Sequence, residues 1–132
     1  VSVESALRAG RRAAERLMVD RCTIRRTTGV STNPETGQTA PTDATIYQGR
    51  CRVQQSAVQS REESPGQAEL LMVPRELHLP VATSGGVRVD DEVVIDACTY
   101  DPDLVGRHLT VRGESAKSLA TARRLHIEEA AS

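Results

Sequence analysis

The heptapeptide DRCTIRR, residues 20–26, decides the fold. Cys22 and Ile24 alternate with Arg21, Thr23 and Arg25, so the apolar side chains recur at every second position and share one face of an extended strand. Just upstream the period is different. Residues 3–18, VESALRAGRRAAERLM, put Val3, Ala6, Leu7, Gly10, Ala14, Leu17 and Met18 on one side at helical spacing. Ser2 is a suitable N-cap, and Glu4 suits the positive end of the helix dipole. The switch of period predicts a helix within residues 1–19 and β-structure over 20–130, in a single domain of 132 residues.

The period of two recurs downstream. ATIYQGRCRVQ (44–54) reads as a second strand, with Gly49 expected at a bulge or bend and Cys51 and Val53 on one face. In ELLMVPRELHLPV (69–81), Leu71, Val73, Leu77, Leu79 and Val81 share a parity, and Pro74 argues for an edge or a break. Val87 and Val89 are expected to begin another strand, Asp90-Asp91 to turn the chain, and Val93, Ile95 and Ala97 to alternate after the turn. Leu109, Val111 and Gly113, then Leu125 and Ile127, mark the last strands. About six short strands after one helix predict a mostly β fold, a small barrel whose closure removes exposed edges. Strand order is not legible.

Two polar stretches interrupt the pattern. Residues 27–43, TTGVSTNPETGQTAPTD, centre on the turn signal Asn33-Pro34-Glu35-Thr36-Gly37, and residues 54–67 read QQSAVQSREESPGQ. Both are expected to be loops, far longer than the usual connection of about 4–6 residues. Neither can bury enough apolar surface to order itself, so each is either a disordered surface loop or a segment ordered by a partner or a neighbouring subunit.

The core must be aliphatic, because the chain has no Phe, no Trp, and only Tyr47 and Tyr100. Net charge is -1, but unevenly placed: residues 1–26 hold seven Arg against three acids, a net of +4, leaving a net of -5 on the remainder. Such asymmetry suits head-to-tail stacking or a charged partner at one end. Arg8, Arg12 and Arg16 form an i, i+4 row with Arg11 beside it, and because like charges at that spacing weaken an isolated helix slightly, the row reads either as a contact for an outside partner or as a solvated face. Cys22, Cys51 and Cys98 are an odd number in strand-like contexts without CxxC spacing, which predicts buried free thiols. No signal peptide is read in the Arg-rich start, and no run reaches the ~18 apolar residues of a membrane span.

The chemistry-bearing motifs point away from an enzyme. G-x-S-x-G, the P-loop and G-x-G-x-x-G do not occur. His78, His108 and His126 stand singly in strand patterns with no second ligand at metal spacing. Asp90, Asp91, Glu92, Asp96, Asp101 and Asp103 lack the EF-hand order and read as turn chemistry. No metal and no cofactor is expected. A small barrel that binds nucleic acid through Arg8, Arg11, Arg12 and Arg16 remains a second class, limited by the scarcity of aromatic side chains for base stacking.

The order of these pieces resembles the small head-closure proteins, or head-to-tail stoppers, of long-tailed bacteriophages, in the version found in phages of actinobacteria. The matching pieces are the Arg-rich helix and DRCTIRR (20–26), NPETG (33–37), IYQGRCRV (46–53), LHLPV (77–81), VDDEVVI (89–95), DPDLVGR (101–107), LTVRG (109–113) and TARRL (121–125). The resemblance implies a β-barrel subunit of a homo-oligomeric ring, a dodecamer, in the neck of the virion, made in the bacterial cytoplasm and not associated with membrane. The portal and adaptor lie above such a ring, the tail terminator and tail tube below, and packaged double-stranded DNA passes through the lumen. A tail-terminator or adaptor role in the same connector is the neighbouring reading. By position, the loop after the second strand implies Gln54, Gln55, Gln59, Ser60, Arg61, Glu62 and Glu63 as channel residues. Arg8, Arg11, Arg12, Arg16, Asn33 and Glu35 are the expected contacts to an adjacent ring or subunit.

Overall fold

The computed structural model describes residues 2–55 and 75–129. One helix, α1 (Val3–Arg16), precedes six strands: β1 (Asp20–Thr32), β2 (Thr39–Gln55), β3 (Arg75–Leu79), β4 (Glu92–Ala97), β5 (His108–Ser115) and β6 (Arg123–Glu129). They form a closed antiparallel barrel in the order β1-β2-β3-β6-β5-β4. Closure is made by β1, which pairs with β2 on one side and, through Arg21 to Arg25, with Glu92 to Ala97 of β4 on the other. The mostly β reading, the barrel and the N-terminal helix all stand.

Alternation fills the interior. Ile24, Leu77, Leu79, Val93, Ile95, Leu109 and Val111 are fully buried, and Leu125 and Ile127 nearly so. With Cys22, Cys51 and Tyr47 they form one cluster. The core is thus aliphatic and thiol-lined apart from a single aromatic ring. Cys22, Cys51 and Cys98 are all buried free thiols, as expected, although Cys98 lies just past the end of β4 and not in a strand.

Three expectations are corrected. The stretch 27–43 is not a loop: β1 and β2 stay paired out to Thr32 opposite Thr39, and only the NPETG turn joins them. Thr and Val tolerate the extended backbone well, and Thr28 and Asp43 add cross-strand hydrogen bonds to Thr42 and Thr27 (3.2 and 3.1 Å). The turn closes through Gly37 N–H to the Asn33 carbonyl (2.8 Å) and Glu35 N–H to the Asn33 Oδ1 (2.9 Å). Second, Gly49 sits at no bulge. It stands in regular register opposite Cys22, and the two register shifts of this ladder fall nearer the arm, between Ile24 and Arg25 and between Thr27 and Gly29. A Cβ on Gly49 would lie 2.9 Å from the Tyr47 hydroxyl, so the glycine makes room for a phenol that donates to the Arg50 carbonyl.

Third, no strand begins at Val87. Residues 80–91 wind through a short 3₁₀ helix and two further turns instead. The buried Asp91 holds them in that shape. Its carboxylate accepts from Arg26 Nε (2.8 Å), a second Arg26 nitrogen (2.9 Å) and the Arg88 N–H (2.8 Å), while Arg26 also donates to the Gly86 carbonyl (2.8 Å). Val87 is buried and Val89 is 53% exposed, so the parity that suggested a strand is broken. The expected strand residues Leu71, Val73 and Pro74 lie outside the described residues.

Burial pushes the Tyr47 phenol up to about 12, and the neighbouring Cys22 and Cys51 thiols add to the effect. The folded value lies above the ordinary 10.0, so this contribution to stability is complete below about pH 10 and is lost as pH rises from about 10 to about 12, where the unfolded chain ionises first. With Tyr100→Phe leaving one phenol, ultraviolet titration is expected to show phenolate with a midpoint near 12, accompanied by loss of the β-sheet circular dichroism. A midpoint near 10 in an intact barrel would contradict this packing.

Candidate functional site

Two features stand outside the barrel wall. The first is the distal part of the β1–β2 hairpin. Pairing of β1 with β4 ends at Arg25 opposite Glu92, and pairing of β2 with β3 begins only at Arg52. Beyond Arg26 and Ala44 the two strands therefore bond only to each other, forming a ribbon about 20 Å long at the usual rise per residue. Every residue from Thr27 to Pro41 is exposed. A two-stranded ribbon with no core of its own is marginal in water. The arm carries Glu35 at its tip, whereas the Asn33 side chain is committed to the turn.

The second feature is α1 and the groove beside it. Ser2 caps the helix as expected, accepting from the Ser5 N–H (3.1 Å). The helix docks by a narrower stripe than its sequence suggests. Leu7, Gly10, Arg11, Ala14 and Glu15 are half-buried and Met18 is buried, but Val3 and Leu17 are 65% and 53% exposed. A Cβ on Gly10 would lie 2.8 Å from Thr121, so the small residue sets how closely the helix approaches the β5–β6 connection. Buried Met18, Ala120 and Ala122 lie outside the barrel cluster. Two polar ties complete the seat: Arg11 Nε to the Ala120 carbonyl (3.2 Å) and Arg50 to Glu15 (3.3 Å).

Among the expected partner contacts, Arg11 is thus turned inward and holds the helix down. Arg8, Arg12 and Arg16 face out. Arg8 meets Glu4 only at 4.0 Å, with both side chains highly exposed, a pair worth little. Arg12 and Arg16 have no acidic partner among the described residues. Gln54 and Gln55 close β2, paired with Glu76 and Arg75, at the end of the strand opposite the arm. Gln59, Ser60, Arg61, Glu62 and Glu63 lie outside the described residues.

The groove was not legible as a site. Leu77 and Leu79 point into the barrel, so His78 between them points out, yet it is only 7% exposed. It lies in a cavity of about 470 Å³ between α1 and the outer face of β2, β3 and β6, whose lining includes Ala14 and Leu17 on the helix and Thr121 beyond it. Register aligns Arg52, His78 and Arg124 directly across those three strands. His78 Nε2 is 3.1 Å from Glu76 Oε2. Arg52 and Arg124 have no acidic partner within ion-pair distance among the described residues. Two uncommitted guanidiniums flanking a histidine in a partly apolar cleft can receive carboxylates.

Cys51 and Cys98 are held in their thiol form. Hydrogen bonding with Cys22 and burial raise Cys51, and burial with a hydrogen bond to Asp20 raises Cys98, which disfavours the nucleophilic thiolate in each. No three His, Cys, Asp or Glu side chains gather as metal donors among the described residues.

Taken together, these features define a small closed antiparallel barrel with a helix docked on its wall and a protruding hairpin arm. The chain belongs to a family of unknown function, DUF6093, whose profile matches residues 10–128. No curated protein and no solved structure matches it.

If the arm serves assembly and not folding, its removal should leave the barrel intact. Replacing residues 28–42 by an Asn-Gly turn is expected to shift the thermal midpoint by less than about 4 °C, because no buried side chain is lost. A fall much larger than this would mean that the arm stabilises the monomer.

Proposed function

We propose that this chain is a structural subunit of the head–tail connector of a long-tailed bacteriophage, a head-closure stopper that forms a ring in the neck and helps retain packaged DNA. The single observation that carries the reading is the exposed β1–β2 arm, an ordered ribbon that buries nothing within its own subunit and gains a function only against another. The resemblance of the ordered motifs along the chain supports it. The β-barrel favours a stopper or terminator over an adaptor, for which a mostly helical chain is expected. In this reading the arm reaches an adjacent ring or subunit, and the exposed Arg8, Arg12 and Arg16 face a charged partner. The segment between Gln55 and Arg75 supplies the channel residues, with Gln54 and Gln55 at its root. Polar side chains repeated around a ring can bond to one another and narrow a pore, and their mixed charge limits adhesion to the sliding phosphate backbone.

Gene order and particle composition test the proposal directly. Tailed particles from a host that encodes this chain are expected to contain it, and disrupting its gene is expected to give filled heads that lose their DNA and carry no tails. Tailed, infectious particles without the protein would contradict it.

A second reading has its own observation. Arg12 and Arg16 are exposed and unpaired among the described residues, and Arg52 and Arg124 are likewise uncommitted, as suits contact with phosphates. As a nucleic-acid-binding barrel the protein would bind duplex DNA with an affinity that falls steeply with salt, and Arg12→Ala with Arg16→Ala would flatten that slope by about two ions. The connector reading predicts no binding by the free subunit at physiological salt.

A further inference from the structure

Carboxylates and guanidiniums without an ion-pair partner among the described residues sit on opposite sides of the barrel, although Arg21 and Arg25 of the adjoining β1 also face outward beside β4. In the closed order β1-β2-β3-β6-β5-β4, strand β3 lies three places from β4 in either direction, so the two are diametrically opposed. The β3 side holds the groove with Arg52 and Arg124 on either side of His78, whose neighbour Glu76 also lines it. The β4 side presents Asp96 on its outer face and leads into a turn bearing Asp101 and Asp103. None of these three carboxylates has a cationic partner within ion-pair distance among the described residues. Between them Tyr100 is 83% exposed, and Val105, just beyond, is 46% exposed. An aromatic ring standing free among unpaired acids is an unusual use of one of only two aromatics in the chain.

We propose that the β4 turn of one subunit seats in the α1–β3 groove of a second copy of this chain, with Tyr100 as the anchor. The tyrosine ring would cover the half-exposed Leu17 and Ala14, and Asp101 and Asp103 would meet Arg52 and Arg124. Tyr and Arg are the residue types that dominate interface energetics when desolvated together. The charge complementarity sets the occupant: the acidic turn and the two arginines that flank the groove belong to the same chain but cannot meet within it, because they lie on opposite sides of the barrel. Two different patches on opposite sides make a heterologous contact, and a heterologous contact repeated with a closing rotation generates a ring. The inference rests on the ring reading and names the faces that would build it.

Directed cross-linking tests it. Thr99 and Gln54 are exposed, the first beside Tyr100 and the second lining the groove. Concentrated Thr99→Cys protein is mixed with mass-tagged Gln54→Cys protein and treated with a short bis-maleimide. The expected product is a covalent dimer with one chain of each kind, neither variant cross-linking alone. A chain carrying both substitutions should give a ladder that ends in a closed ring. Tyr100→Ala should reduce the yield at least tenfold. Arg124→Glu should do the same and be rescued by Asp103→Arg on the partner, a readout that misfolding would not produce. No mixed dimer, a Thr99→Cys homodimer, or a yield indifferent to Tyr100→Ala would each overturn the inference. Oligomers seen by sedimentation without the mixed product would sink these faces and leave the ring reading standing, whereas the ring reading itself fails on particle composition.

Discussion

The ladder between β1 and β4, Arg21 to Arg25 against Glu92 to Ala97, closes the barrel, and the arrangement of everything outside the wall follows from it. Closure leaves no strand edge within the barrel proper, so the only long unpaired edges among the described residues belong to the hairpin beyond Arg26. The same ladder anchors the root of that hairpin. Arg26, the first residue past it, is clamped by Asp91 and Gly86, and its guanidinium is held firmly protonated by the hydrogen bond to Asp91. The arm is therefore projected from a fixed base. A core with a single aromatic ring can support this because the barrel is narrow enough for Leu, Ile and Val from six strands to meet at its axis.

Much of this was legible because the period of the hydrophobic pattern is a local property. Cys22 with Ile24, Val93 with Ile95, Leu109 with Val111 and Leu125 with Ile127 each announce a strand and its inward face, and all eight are buried or nearly so. Ser2 and Glu4 marked the helix start. The errors have physical causes. The stretch 27–43 read as a loop because its residues are polar, but polarity reports that neither face is buried, not that the backbone is irregular. Its threonines and the centrally placed NPETG turn were the signal for a hairpin. Val87 misled because its burial comes from a winding segment held by Asp91, a tie to Arg26 that spans 65 residues and leaves no local trace.

The groove shows the same limit from another side. Alternation alone could have placed His78 on the outer wall between Leu77 and Leu79. That Arg52 and Arg124 flank it depends on which strands adjoin β3 and in what register, and β3 adjoins β6 across more than forty residues of sequence. The helix stripe was likewise half-legible: Leu7, Gly10, Ala14 and Met18 pack toward the barrel, while Val3 is exposed and Leu17 only borders the groove, because α1 leans on a short connection and not on a broad sheet face. Exposed Leu17, arginines without an acidic partner among the described residues and an unsupported arm are all costs to an isolated subunit, and the proposed ring would give each of them a counterpart.

The central claim is that this barrel is built to be one subunit of a ring. The most direct measurement is an electron cryomicroscopy map of the neck of tailed particles encoded with this chain. The account predicts a closed ring of six-stranded barrels around the DNA channel, with each hairpin arm packed against a neighbouring subunit or ring. A neck whose density is fully accounted for by other proteins, with no such barrel in it, would contradict it.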